Sequence, residues 1–437
     1  MREELLARPK NINLASTKLE ETVTPKQILR AMFAAAVDAA LPKHAIPKFL
    51  PRKPKGRTIV IGAGKASAAM AQSFEKHWQH SLEGLIVTRY GHGAKTKKIE
   101  VVEAAHPVPD EAGTRAAARM LNMVAGLTKD DLVVALISGG GSSLLSLPAD
   151  GISPEEKRAV NRALLKSGAP IEDMNIVRKH LSNIKGGRLA AAAFPARVET
   201  LVISDVPGDD LASVASGPTL PDPSTFAEAR AIVAKYGIEV PVAVMRHLTE
   251  AQDETPKHLA NGRGFCIASP QQSLLAAAKV ARAAGYRPII LGDAIEGEAR
   301  DVGFVMAGIA LQAKRFGQPI KPPCAIISGG ETTVTVRGQG VGGRNVEFLL
   351  AFAIKLNGAK NIHALAADSD GIDGAADVAG AMINATSLQR ARKLGIDPWT
   401  ELSNNNAHMF FQKLGDQVIT GPTLTNVNDI RIVLVDG

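Results

Sequence analysis

Residues 132–137 read Leu-Val-Val-Ala-Leu-Ile, apolar at every position and bounded by Asp131 and Ser138. A strand this continuous has no face for water. It must be covered on both sides, as a strand is inside a parallel sheet flanked by helices. Other strand-like stretches fall at 57–62, 85–88, 199–204, 265–268, 288–291, 325–327, 362–366 and 430–435, with 332–336 read as a hairpin extension. Helical stretches separate them. The first opens at Thr24-Pro25, a cap followed by proline, and places Ile28, Met32, Phe33, Ala36 and Val37 on one face. Such alternation predicts an α/β chain of two doubly wound domains. The polar, weakly periodic stretch 249–264 is the expected boundary. It leaves a Rossmann-like N-terminal domain over 1–262 and a C-terminal α/β domain over 263–437.

Composition narrows the function classes. Hydrophobic residues at 45% give core enough to exclude disorder as the main state. Forty glycines against 4% aromatics suggest loops built from backbone, not stacking platforms. The formal charge of +8 comes without a nucleic-acid module or aromatic interleaving, so anionic small molecules are better partners than nucleic acid. The basic runs at 52–57 and 95–98 read as solvated surface. Cys266 and Cys324, alone, make neither a disulfide framework nor a cysteine zinc site, and they suit a reduced cytoplasmic setting. The first ten residues carry Glu3 and Glu4 and no hydrophobic run, unlike a secretory leader. No window approaches the ~18 uninterrupted apolar residues of a membrane span. A soluble protein is expected.

Chemistry is concentrated in loops that follow strands, where α/β sheets place ligands. Gly62-Ala63-Gly64-Lys65-Ala66-Ser67 sits between a strand and a helix, where backbone N–H groups attract anions and Lys65 adds a charge. It is not a Walker A loop, because Ile59 stands where a glycine is needed. Nor is it a full dinucleotide fingerprint: Ser67 takes the third glycine position, and residues 85–99 hold no acid for a ribose. Ser138-Gly139-Gly140-Gly141-Ser142-Ser143 suits a phosphate nest, with a ligand-free turn and a serine nucleophile as the competing readings. Ser328-Gly329-Gly330-Glu331 echoes it in the second half. Asp205, Asp209 and Asp210 crowd the end of another strand. Clustered carboxylates repel unless a cation joins them, so Mg²⁺ with phosphate oxygens competes with an Asx-rich turn. Asp368, Asp370 and Asp373 repeat the theme but lack the glutamate of a calcium loop. Residues 338–345 hold four glycines and end in Arg344-Asn345, and Arg344 fits either a transferring phosphoryl group or a surface ion pair. His106 reads as a loop residue, and no spacing makes a zinc site.

Together the motifs carry a resemblance. Gly62-Ala63-Gly64-Lys65-Ala66, His106-Pro107-Val108-Pro109-Asp110, Ser138 through Ser143, Ser204-Asp205-Val206-Pro207-Gly208-Asp209, Ser216-Gly217-Pro218-Thr219, Gly342-Gly343-Arg344-Asn345, and Thr420-Gly421-Pro422-Thr423 through Asn428-Asp429 resemble the glycerate 2-kinase family. The part from about 322 to 435 resembles the module called MOFRL. The resemblance implies a site in the cleft between the domains, and ATP- and Mg²⁺-dependent phosphorylation of D-glycerate at its C2 hydroxyl. It implies functional weight on Lys65, Asp205 and Arg344. In that frame Lys65 and Arg344 neutralise the phosphoryl group or the glycerate carboxylate, Asp205 and Asp209 hold Mg²⁺ or take the hydroxyl proton, and the 138–143 loop cradles the nucleotide. Gly62, Gly64, Gly329 and Gly330 complete the nucleotide contacts. One departure is visible: Asn404-Asn405-Asn406 stands where the family pattern leads us to expect a carboxylate. Some relatives bear the label hydroxypyruvate reductase, so the alternative is an NAD(P)H-dependent reductase using Arg89 for a 2′-phosphate. A homodimer is left open as the assembly.

Overall fold

The computed structural model describes residues 23–374 and 376–437, so the reading of the first ten residues as unlike a secretory leader lies outside the described residues. Fourteen strands are present among them, in chain order β1 (Thr58–Ala63), β2 (Glu83–Arg89), β3 (Ile99–Ala104), β4 (Leu132–Ser138), β5 (Arg197–Ile203), β6 (Gly262–Ala268), β7 (Arg287–Gly292), β8 (Gly297–Glu298), β9 (Cys324–Gly330), β10 (Thr332–Thr333), β11 (Ile362–Asp368), β12 (Gly380–Ile383), β13 (Gln417–Val418) and β14 (Asp429–Val435).

The first sheet has six strands in the order β3-β2-β1-β4-β5-β6, all parallel. Strands β1 and β4 are buried at every position, as their apolar runs require. Chain order reverses between them. In a doubly wound sheet that switch point opens a crevice at the carboxyl ends of the strands. Four helices, Pro154–Lys166, Ile171–His180, Phe226–Lys235 and Val242–Glu250, pack together around Val160, Leu164, Val177, Phe226 and Leu248 beside this domain.

The second six-stranded sheet runs β13-β12-β11-β14-β9-β7. Only β7 and β9 pair in parallel; β14 lies antiparallel to both β9 and β11, and β12 and β13 continue antiparallel. Helices still cover both faces. Ala299–Phe316 and Arg344–Leu356 bury Phe348 and Phe352 on one, and Pro270–Ala283 lies on the other. Two α/β domains are therefore present, the second with a mixed sheet.

Two features divide the chain differently from the expected boundary. Strand β6 hydrogen-bonds to β5 in the first sheet, so that sheet runs to Ala268 and not to 262. Helix Pro25–Ala39 is held at its start by a capping box between Thr24 and Gln27. It buries Leu29, Met32 and Phe33 against Leu274, Ile430 and Ile432 of the second domain. Burial of side chains this size is worth roughly 1.5–3 kcal/mol each, which a polar linker between two sheets cannot match. The residues 332–333 expected as a hairpin instead pair in parallel with β8. Among the described residues no helix is long and apolar enough to cross a membrane. Cys266 and Cys324 are free thiols in different sheets.

Candidate active site

The loops after β1 and β4 meet at the switch point and consume each other's polar groups. Lys65 N–H donates to Gly139 O at 2.9 Å, Ala66 N–H to Ser138 Oγ at 3.0 Å, and Thr88 Oγ1 to Gly64 O at 3.1 Å. Those two N–H groups, expected to face an anion, are thus taken within the protein. Gly62 is a strand residue on which a Cβ would strike Leu136 O, so its glycine serves close β1–β4 approach. Past Ser138 the loop turns toward the cleft. A Cβ on Gly139 would run into the Asp205 carboxylate, and Gly141 packs on Ala215. Gly140, at φ 80°, takes the left-handed conformation that glycine adopts freely and starts the short helix Gly141–Leu144. The His106 ring and the Lys65 stem lie 3.2 Å from where its Cβ would be. Ser142 Oγ meets Ser216 Oγ at 2.7 Å, and Ser143 Oγ donates to Gly140 O at 3.2 Å.

Lys65 reaches across to the second domain and donates to Asp370 Oδ2 at 2.6 Å. Burial works against its charge, but Asp370 and Asp368 outweigh that and hold the ammonium above its ordinary value. Arg344 starts helix Arg344–Leu356, and each of its three nitrogens meets a different carboxylate. Nη2 donates to Asp368 at 2.8 Å, Nε to Asp429 at 2.9 Å, and Nη1 to Glu331. Burial is overcome there too, and the guanidinium is firmly charged. Asp429, at the start of β14, also accepts from Asn345 at 2.7 Å and from the fully buried Arg431 at 2.7 Å. Asp373 caps the same helix, accepting from Asn345 N–H at 3.1 Å and Val346 N–H at 3.0 Å.

Asp205 stands on the opposite wall, after β5. Asn426 Nδ2 donates to its Oδ2 at 3.1 Å, and Asn428 reaches its backbone carbonyl. Burial and nearby Glu331 push its carboxyl up to about 7, with Lys65 and Arg344 only partly offsetting this. Burial and Asp429 push Asp373 up to about 7, and burial and Asp370 likewise raise Asp368. Lys65, Asp205 and Arg344, far apart in sequence, are thus brought into one charged seam. Six carboxylates (Asp205, Glu331, Asp368, Asp370, Asp373 and Asp429) face three cations there (Lys65, Arg344 and Arg431). Such an acid excess favours a cation, and Mg²⁺ needs only one or two carboxylates when phosphate supplies the rest. Among the described residues no three His, Cys, Asp or Glu side chains converge as a metal cage.

Other expected residues lie apart. Asp209 sits near Cys266, and its Oδ1 is buried without a hydrogen-bond partner. Gly329 and Gly330 are buried inside β9: Gly329 O accepts from Arg431 at 3.1 Å, and Gly330 backs onto Ile295. They form strand and not an open loop, because Thr332 and Thr333 pair onward with β8. The asparagine triplet binds the glycine-rich 338–343 loop. Asn405 Oδ1 accepts from Arg337 and Gly338 N–H at 2.7 and 3.0 Å, Asn404 from Gln339 at 3.0 Å, and Asn406 from Val341 at 3.1 Å. That loop's glycines permit close approach to residues 404–406. His106 is neutral, its pKa pushed down to about 3 by burial and by Lys65 and Arg89. Nothing in the motifs marks His92, whose buried ring nitrogens both lack partners and whose pKa burial, Arg89 and Lys65 push down to about 4. Glu331 was legible only as part of the loop echo.

A site with three cations, a near-neutral carboxyl and excess acid can bind an anion, receive a metal and take a proton. Residues 28–249 match a family model described as a domain of unknown function (DUF4147), and residues 324–429 match the MOFRL family. The D-glycerate 2-kinase of Thermotoga maritima is 41% identical over 412 residues, covering 94% of this chain and 98% of its own. A protein of Agrobacterium vitis, provisionally named hydroxypyruvate reductase, is 54% identical, covering 94% of this chain and 95% of its own. The crystal structure of glycerate kinase from Thermotoga maritima aligns with a TM-score of 0.85 at 41% identity, covering 94% of this chain and 99% of that one.

Proposed function

The chain belongs to the glycerate 2-kinase family, and on that premise we propose the finer reaction: transfer of the γ-phosphoryl group of ATP to the C2 hydroxyl of D-glycerate, giving 2-phosphoglycerate and ADP. The observation that carries it is the meeting of Lys65 and Arg344, from separate domains, around Asp205. Phosphoryl transfer asks for positioning and charge stabilisation more than covalent chemistry. Arg344 stabilises the equatorial oxygens with its planar fork, and Lys65 holds the glycerate carboxylate or shares the phosphoryl charge. Asp205, titrating near neutrality, accepts the hydroxyl proton, since a base works best with a pKa close to the operating pH. Mg²⁺, held by the nucleotide's own oxygens with Asp205 or with Asp209, which lies outside the seam beside Cys266, would neutralise charge between the phosphates. The unpartnered Asp209 Oδ1 fits that role.

The reductase alternative finds less support. The first βα loop spends its N–H groups on β4, leaving none for a dinucleotide pyrophosphate, although Arg89 at the end of β2 would suit a 2′-phosphate. The purified protein should release ADP only when D-glycerate is added, and should leave NADPH unoxidised with hydroxypyruvate. NADPH turnover with no ADP formed would reverse this reading. A cytoplasmic homodimer belongs to the same proposal, and light scattering tests its assembly.

A further inference from the structure

Beside Gly140 lies a cavity of about 260 Å³ walled by the 106–109 and 140–146 loops and by helices Pro154–Lys166 and Ile171–His180. Lys157, Arg158, Arg162, Arg178 and Lys185 line it, and no carboxylate does. Arg158 pairs with Glu155 at 2.6 Å. Among the described residues the other four have no carboxylate within 4 Å. Lys157 and Lys185 are only 3% and 2% exposed, yet each ammonium donates to a single carbonyl, Leu147 O at 3.1 Å and Ser142 O at 2.6 Å. Among the described residues, the one hydrogen-bonding partner of the Arg178 guanidinium is Met174 Sδ at 3.9 Å.

Buried cations without counter-charges are costly, and a protein keeps them where a ligand supplies the missing charge. Burial pushes Lys157 down to about 7, and burial, Lys157 and Arg178 push Lys185 well below its ordinary value. The rim is of another kind: Pro107, Val108 and Leu165 line it, and Val108 and Leu165 are exposed. A floor of cations under an apolar rim fits a ligand with a phosphate chain at one end and a flat ring at the other. Gly140 joins this cavity to the seam, since it lines the cavity beside His106 and the Lys65 stem lies 3.2 Å from where its Cβ would be.

We propose that this cavity is the nucleotide site, with Lys157, Arg162, Arg178 and Lys185 on the phosphate chain and Val108 and Leu165 against the base. The proposal rests on the kinase reading for its ligand, but it is tested by binding alone. Calorimetric titration with ADP should show binding to the wild-type protein, weakened about tenfold or more in the R162Q/R178Q double variant, where two charge-assisted contacts are gone. K185M should weaken it further. If that variant misfolds, the more exposed pair of arginines carries the test. The KM for glycerate in the double variant should stay within about twofold. Wild-type ADP affinity in the folded double variant overturns the assignment, as does a wild-type protein that binds no ADP or binds inorganic phosphate as tightly. ADP binding through these side chains in a protein that makes no ADP from ATP and glycerate would sink the kinase reading and leave the cavity standing. Normal turnover with unaltered ADP binding in the double variant would do the reverse.

Discussion

The two walls around Gly140 treat positive charge in opposite ways. On the second domain Arg344 is met by three carboxylates and Arg431 by Asp429. In the first-domain cavity the buried Lys157 and Lys185 and the half-buried Arg178 have none within 4 Å among the described residues, and Arg162 lies exposed beside them. A paired cation is held in place before any ligand arrives and can act on a transition state without reorganising. An unpaired buried cation is incomplete, and what completes it is an incoming anion. One wall is therefore built to aim and the other to capture.

The sharpest way to break that contrast is to remove a cation from each side. Arg344→Met strands Asp368, Asp429 and Glu331, and losing one partner of a buried network costs about 3–5 kcal/mol. We expect a large fall in melting temperature and kcat reduced by about 10³-fold, from lost folding and lost oxyanion contacts together. Arg344→Lys keeps the charge but not the fork, and should lose about 10² in kcat with a smaller thermal shift. Arg178→Gln, by contrast, should leave the melting temperature near wild type. Calorimetry and steady-state kinetics read all three. A folded Arg344→Lys enzyme with normal kcat would make Arg344 a structural residue only.

Acidity separates the walls more finely. Asp205 and Asp373 have folded-state values near 7 against an ordinary 3.8, so between these values the folded chain holds protons that the unfolded chain releases. Their contribution to stability is full below about 3.8 and lost as pH rises through about 7. Lys157 has the opposite sign. Its folded value near 7 lies below the ordinary 10.5, so its contribution is present above 10.5 and lost as pH falls through about 7. Relative to wild type, Asp205→Asn should gain stability as pH is raised from 5 to 8, and Lys157→Met as it is lowered from 9 to 6. Thermal melts across pH check both, and parallel curves would mean that these groups are solvated. In the same range kcat/KM for glycerate should climb with pH up to about 7 and then level, a slope that Asp205→Asn removes.

The smallest expected effect is in shape. Lys65–Asp370 and Asn426–Asp205 already bridge the seam. ATP and glycerate together should therefore add only modest compaction, visible by small-angle scattering as a slightly smaller radius of gyration. Lys65→Met removes one bridge, and should enlarge the ligand-induced change while raising the glycerate KM at least as much as it lowers kcat.

Much of this was legible in the sequence, and the exceptions have physical causes. The unbroken run at 132–137 reads correctly as a strand buried on both faces, because an apolar residue at every position leaves no face for water. The stretch at 430–435, apolar but for Arg431, runs antiparallel to β9 and β11, since strand direction leaves no trace in such a run. Lys65, Asp205 and Arg344 could be singled out by their motifs, but their convergence depends on a seam that spacing cannot show. The cavity was invisible: Lys157 and Arg178 sit on amphipathic helices, where a basic residue ordinarily marks the wet face. The N–H groups after β1 were misleading for the reverse reason, since only the fold reveals that Gly139 and Ser138 take them first.

Helix Pro25–Ala39 belongs to the second domain by packing although it precedes the first in the chain. The polypeptide therefore passes between the domains twice, once after Ala40 and again at Ser269. A single tether would let one body swing and twist about the other. Two tethers define a line, and rotation about that line is the one large motion that strains neither. On that geometry the seam lined by Lys65, Asp205 and Arg344 would be the edge of a door with two pins, and any opening would bring its faces back in the same register, which an in-line transfer between partners on opposite leaves demands.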